Sequence, residues 1–164
     1  MEQIMTTFHP YHLTQTDVAD DADRAFLSQQ IKQFNNVHSP HHLHVRTHPP
    51  RPLDLLLRND AGEIVAGLAA NTYWSWLDIE DLWVHEALRG QGFGQQLLAL
   101  AEAEAQMRNC RYAMLTTFSF QARAFYEKWG YTVVGALADY PPGETYYWLR
   151  KVLVNPDRNR EPSG

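Results

Sequence analysis

The stretch Arg89-Gly90-Gln91-Gly92-Phe93-Gly94 stands between two segments of different periodicity, and its reading decides the fold. Before it, Ile79-Glu80-Asp81-Leu82-Trp83-Val84 is rich in β-branched and aromatic residues and reads as a strand. After it, Phe93, Leu97, Ala101 and Ala105 recur every four residues, with Gln95, Glu102 and Gln106 on the opposite side, the pattern of an amphipathic helix. Three glycines at a helix start let the chain turn tightly and leave backbone N–H groups uncovered by side chains. Those amides, reinforced by the helix dipole, favour an anion, most naturally a pyrophosphate.

Spacing narrows the choice of cradle. A dinucleotide fingerprint of the G-x-G-x-x-G kind needs glycine at 95, where Gln95 stands, and a P-loop needs Gly-Lys-Ser/Thr where Gly94-Gln95-Gln96 stands. The R-G-x-G-x-G pattern after a strand ending Leu82-Trp83-Val84 resembles instead the GNAT superfamily of acetyl-CoA-dependent N-acetyltransferases, whose cofactor motif is Q/R-x-x-G-x-G/A. A second segment, Thr116 to Tyr131, resembles that family's later N-x-x-A-x-x-x-Y-E-K-x-G-F/Y run. Ala122, Tyr126, Glu127, Lys128, Gly130 and Tyr131 match it, and Ser119 stands where many relatives carry asparagine. Gly130 suits a left-handed helix stop. The resemblance covers roughly residues 52 to 153.

The resemblance implies an α/β fold, the GNAT fold: a mixed, mostly antiparallel central sheet flanked by helices. It implies one N-acetyltransferase domain over residues 1–154, followed by a polar tail at 155–164. Acetyl-CoA is the implied cosubstrate. In the family its carbonyl and pantetheine lie against the main chain of a splayed strand, here Leu82, Trp83 and Val84. Its phosphates lie at the turn, here Arg89, Gly90, Gln91, Gly92, Phe93 and Gly94, and Ser119 and Tyr126 complete the cofactor set. Tyr126 matches the tyrosine that many members use as general acid towards the CoA sulfur. A phenol of pKa ~10 is protonated at neutral pH and suits that task. Neighbouring helical residues point about 100° apart, so one of Phe125 and Tyr126 is expected in the core and the other in the cleft.

A base is less sharply marked. Relatives that acetylate protein N-termini place a glutamate five residues before the asparagine position, which lands here on Met114, a residue that takes no proton. Histone-modifying relatives use a glutamate at the position matching Asp78. Glu80, two residues on, shares its strand face unless a bulge intervenes. Glu80 is ranked slightly ahead as the longer and nearer to the cofactor strand, and both stay open. Tyr73, Trp74 and Trp76, with Tyr146, Tyr147 and Trp148, supply aromatic walls that suit a small cationic or amphipathic amine.

Composition bounds the rest. The 164 residues, 45% hydrophobic, suit one domain with a core, and a net charge of −5 argues against a nucleic-acid partner. Cys110 is alone, which points to a reducing cytoplasm; Met1-Glu2-Gln3 lacks a secretion signal, and no apolar run approaches the ~20 residues of a membrane span. A possible homodimer follows from the family's habit of pairing through a sheet edge. Five of eight histidines (His38, His41, His42, His44, His48) fall within eleven residues, and the last four of them lie in a proline-marked stretch, Ser39 to Pro50, read as loop. They lack the spacing of a zinc site, and no metal is expected. Helical spacing precedes this stretch (Phe26, Leu27, Gln30, Ile31, Phe34), and strands are expected at 53–58, 64–73, 77–84, 112–117, 131–137 and 145–154. The rival function is a non-catalytic acyl-CoA-binding sensor, which needs the turn but neither Tyr126 nor the carboxylates.

Overall fold

Asp20 opens the first helix, α1 (Asp21–His38), by accepting from the amides of Ala22 and Asp23, both at 2.9 Å, with Asp21 and Asp23 set against the dipole. The computed structural model describes residues 10–11 and 13–153, which fall into two compact units divided between His44 and Val45. A second helix, α2 (Pro40–Thr47), straddles the division and corrects the expectation of a loop over Ser39 to Pro50. Pro40 takes the first helical position, where its missing N–H is not needed. The Ser39 hydroxyl accepts from the His42 amide at 3.4 Å and its carbonyl from Leu43 at 3.1 Å. Only Pro49 and Pro50 act as stops.

The second unit is built on a sheet of six strands: β1 (Arg51–Arg58), β2 (Ile64–Tyr73), β3 (Trp76–Val84), β4 (Tyr112–Phe118), β5 (Thr132–Ala138) and β6 (Thr145–Val152). Their order is β1-β2-β3-β4-β6-β5, antiparallel throughout except where β3 meets β4. The mixed, mostly antiparallel sheet expected from the sequence is present. Residue 154 and the tail at 155–164 lie outside the described residues.

Turns are set by local chemistry. Asn59 accepts from the amides of Ala61 and Glu63 and closes the β1–β2 hairpin, while Trp74 and Ser75, both at positive φ, form the two-residue β2–β3 hairpin. The parallel pair needs a crossover, supplied by α3 (Phe93–Met107). Leu97, Leu98, Ala101 and Ala105 on α3 pack in one cluster with Ala66, Leu68, Leu77, Ile79 and Leu115 of the sheet. A shorter helix, α4 (Arg123–Lys128), leads into β5 and ends at Gly130, whose φ of +89° is the left-handed stop expected.

One charge departs from the sequence reading. Glu102, expected on the polar side of α3, accepts from the Tyr131 hydroxyl at 3.1 Å and the Lys151 ammonium at 2.5 Å. Burial, and then the Glu102 charge, pushes the Tyr131 phenol well above its ordinary value and keeps it a donor.

Leu77 has no exposed surface and joins β3 to the α3 cluster. Leu77→Ala is expected to cost about 2–5 kcal/mol, combining lost transfer energy with the cavity left behind. Urea unfolding should show a lower midpoint with an unchanged slope.

Candidate active site

The site begins where two strands part. β3 pairs with β4 over four residues only, Trp76 to Ile79 against Tyr112 to Leu115. Beyond Ile79, β3 follows β2, whereas β4 runs on beside β6 to Phe118. A bulge marks the parting: Ile79 is opposite Ala70 and Asp81 opposite Ala69, so Glu80 is the extra residue. The bulge resets which side chains face α3. Leu77 and Ile79 are in the core before it; Leu82 and Val84 pack against the same core after it.

Below the parting, a groove of about 450 Å³ is lined by Leu82, Val84, Arg89, the glycine turn and α4. Gly92 caps α3 from the left-handed region (φ +88°), with no side-chain bond to the first-turn amides. A Cβ at Gly92 would meet only Gln96 Nε2 at 3.8 Å, and one at Gly90 would meet nothing within 4 Å. The space beside those glycines is therefore free of protein, and the donors are free for an anion. Arg89 Nε donates to the Val84 carbonyl at 3.1 Å, which ties the turn to the end of β3. Gly94 is closely packed, since a Cβ there would stand 3.5 Å from Phe125 Cζ. These features fit a pyrophosphate and a pantetheine arm.

Tyr126 lines the groove while remaining 8% exposed, with its ring edge-on to Phe125 (5.2 Å) and Tyr131 (5.9 Å). Its hydroxyl makes no hydrogen bond among the described residues. Burial first, then the Asp81 charge, raises its pKa above the ordinary phenol value. The expectation that only one of Phe125 and Tyr126 would reach the cleft is corrected: both line it, together with Ala122 and Trp129, at the i, i+3, i+4, i+7 spacing of one helix face.

The carboxylates lie on the opposite face of the sheet. Tyr73 donates to Asp78 at 2.8 Å and Asn71 Nδ2 to Glu80 at 2.9 Å. Alternate residues of β2 thus hold both acids on one face, even though the bulge falls at Glu80 itself. The Tyr73 phenol is pushed up to about 12, by burial first and then by its bond to Asp78 and the charges of Asp78 and Glu80. It stays a donor across the whole neutral range.

Other predicted residues stand apart from the groove. Trp83 is exposed and meets His85 edge-on at 6.0 Å. Gln91 Nε2 donates to the Ala87 carbonyl at 2.9 Å. The Ser119 hydroxyl donates to Glu144 and accepts from the Thr145 amide at 2.9 Å, fixing the start of β6. Sequence reasoning missed Leu88, Gln95 and Trp129 in the groove wall, Asn71 as the donor to Glu80, and Asp81, whose charge acts on Tyr126. Among the described residues, no three of His, Cys, Asp and Glu are grouped to hold a metal ion.

Comparison with known proteins gives the same reading. The family model described as acetyltransferase (GNAT) family matches residues 16–131. An acetyltransferase of Agrobacterium fabrum is 40% identical over 101 residues, which are 62% of this chain and 74% of that protein. The blasticidin-S acetyltransferase of Streptomyces morookaense is 35% identical over 131 residues, 76% of this chain and 96% of its own. The crystal structure of an acetyltransferase from Bacillus cereus superposes with a TM-score of 0.74 at 30% identity, covering 85% of this chain and 98% of that one. With the parted strands, the uncapped glycine turn and the tyrosine in one groove, the chain belongs to the acetyltransferase (GNAT) family and is an enzyme that moves an acetyl group from acetyl-CoA to an amine.

Proposed function

We propose that the acceptor is the primary amine of a small molecule, bound on the carboxylate-bearing face of the sheet, and that the protein works in the cytoplasm. The observation that carries this reading is the parting of β3 and β4, with a phosphate-sized cradle on one face and paired acids on the other. The Streptomyces relative, named for a small-molecule antibiotic, supports a small acceptor. A single cysteine suits a reducing compartment, and no described helix is long and apolar enough to cross a membrane.

Acetyl-CoA supplies an acyl group already activated as a thioester. The first-turn amides of α3 and the Arg89 guanidinium hold its phosphates, and the Leu82–Val84 main chain aligns its arm. Asp78 or Glu80 takes the proton that the amine must lose, directly or through water, and Tyr126 keeps a proton at its hydroxyl for the sulfur that departs. Tyr73 and Asn71 are positioning residues for the two acids. A sensor without catalysis would have no use for these groups, and the family finding sets that rival aside.

The cradle can be separated from simple strain. Gly62 and Gly92 both have positive φ and room for a Cβ, but Gly62 lies in the β1–β2 turn. Gly62→Ala and Gly92→Ala should each lose about 1–2 kcal/mol of stability. Calorimetric titration should show weaker acetyl-CoA binding in Gly92→Ala alone; equal affinities would remove the turn from the cofactor site.

Tyr126→Phe should lower kcat on the order of 10²-fold. Its melting temperature should hardly move, because the hydroxyl bonds to no described residue. Since a general acid works only while protonated, and this phenol is raised, wild-type kcat should fall with rising pH only above about pH 10. A fully active Tyr126→Phe would show that the thiolate leaves unaided.

On the acid side, an Asp78→Asn/Glu80→Gln double variant should lose most of its neutral rate while binding acetyl-CoA normally. An unchanged kcat/KM in that protein would assign the proton to bulk water.

A further inference from the structure

The sheet face that holds Asp78 and Glu80 also carries a group of rings that the core does not use. Phe118, at the end of β4, stacks on Phe120 with centroids 5.2 Å apart and meets Tyr146 at 4.7 Å. Tyr146 in turn meets Trp148 edge-on at 4.9 Å and Tyr140 at 5.9 Å. None of the five belongs to the core cluster. Trp148 faces Gly135 across β5, where a Cβ would stand 3.3 Å from its Cε3, so the glycine lets the indole lie down on the strand. The outward surfaces stay uncovered: Trp148 is 43% exposed, Tyr140 55% and Phe120 62%. Tyr147, grouped with these by sequence, points the other way, beneath the Arg123 guanidinium.

Register ties this platform to the acids. Asp78 lies opposite Met114, Met114 opposite Arg150, and Trp148 is two residues along β6, opposite Thr116. With strands about 4.8 Å apart and a rise of about 3.3 Å per residue, Asp78 and Trp148 are separated by roughly 12 Å on one continuous face. A carboxylate cluster at one end and exposed rings at the other select a molecule with two unlike ends.

On the reading that this face takes the acceptor, we propose that the acceptor carries a planar aromatic or heteroaromatic ring, held on Trp148 and Tyr146, with its amine at Asp78 and Glu80. A ring system stacks at a defined offset or edge, whereas a saturated group of equal area gains only burial. The cationic end is drawn to the acids, which carry full negative charge.

Matched amines test this: the same aminobutyl chain ending in phenyl or in cyclohexyl, with tryptamine as a larger aromatic member. Wild-type kcat/KM should favour the planar partner by about tenfold or more. Trp148→Leu should flatten that preference and Trp148→Phe should keep it. Tyr140→Ala, on the exposed rim, should weaken it in part and serves if Trp148→Leu fails to fold. Equal rates for phenyl and cyclohexyl amines in the wild type would overturn the proposal. So would a preference that survives in a folded Trp148→Leu, or a dimer split by that change without loss of preference, since the rings would then serve a second copy of the chain. If no amine of either kind is acetylated although acetyl-CoA binds, the small-amine reading fails first and the ring proposal falls with it.

Discussion

The early end of the β3–β4 ladder is the constraint on which the site depends. Parallel pairing stops after Ile79 and Leu115, and each strand then keeps only its outer neighbour. An edge inside a sheet ordinarily exposes unpaired backbone groups, and here that edge is turned to use. The bulge at Glu80 strengthens the local twist and returns Leu82 and Val84 to the core side. A gap with a groove on one face and acids on the other follows from one interrupted ladder.

The division also keeps like charges apart. The phosphates of the cosubstrate require amides and a guanidinium, and carboxylates beside them would oppose binding at short range. The sheet places Asp78 and Glu80 on its far side, bonded to Tyr73 and Asn71. Asp81 alone reaches across electrostatically, adding to the burial that keeps the Tyr126 phenol protonated.

Much of this was legible in the chain. Strand boundaries followed from period-two runs, and the tight turn between β3 and α3 from three glycines. Gly130 announced the end of α4 because few other residues adopt its conformation. What failed had physical causes. The helix at Pro40–Thr47 was hidden by prolines that, at a first turn and after a last one, do not oppose helix formation. Glu102 looked solvent-facing because periodicity carries no information on a lysine and a tyrosine arriving from β6 and the start of β5. The hydrogen bonds of Ser119 to Glu144 and Thr145 depend on a distant loop and left no local trace in the sequence. The pairing of Asp78 with Tyr73 was likewise a tertiary matter.

The far end of α3 has a further consequence. Arg108 at its C-terminus donates to the Pro52 carbonyl at 2.9 Å and bonds Glu104 at 2.7 Å, and the helix is closed by Asn109 in the left-handed region, with Cys110 N–H donating to Ala105 at 2.8 Å. Glu102 fastens the middle to Lys151 and Tyr131. A helix anchored at these points holds its first-turn amides in a fixed direction. On the proposed reading of the turn as the phosphate cradle, little ordering entropy would be lost on association, and affinity for the cosubstrate would draw on a preorganised scaffold.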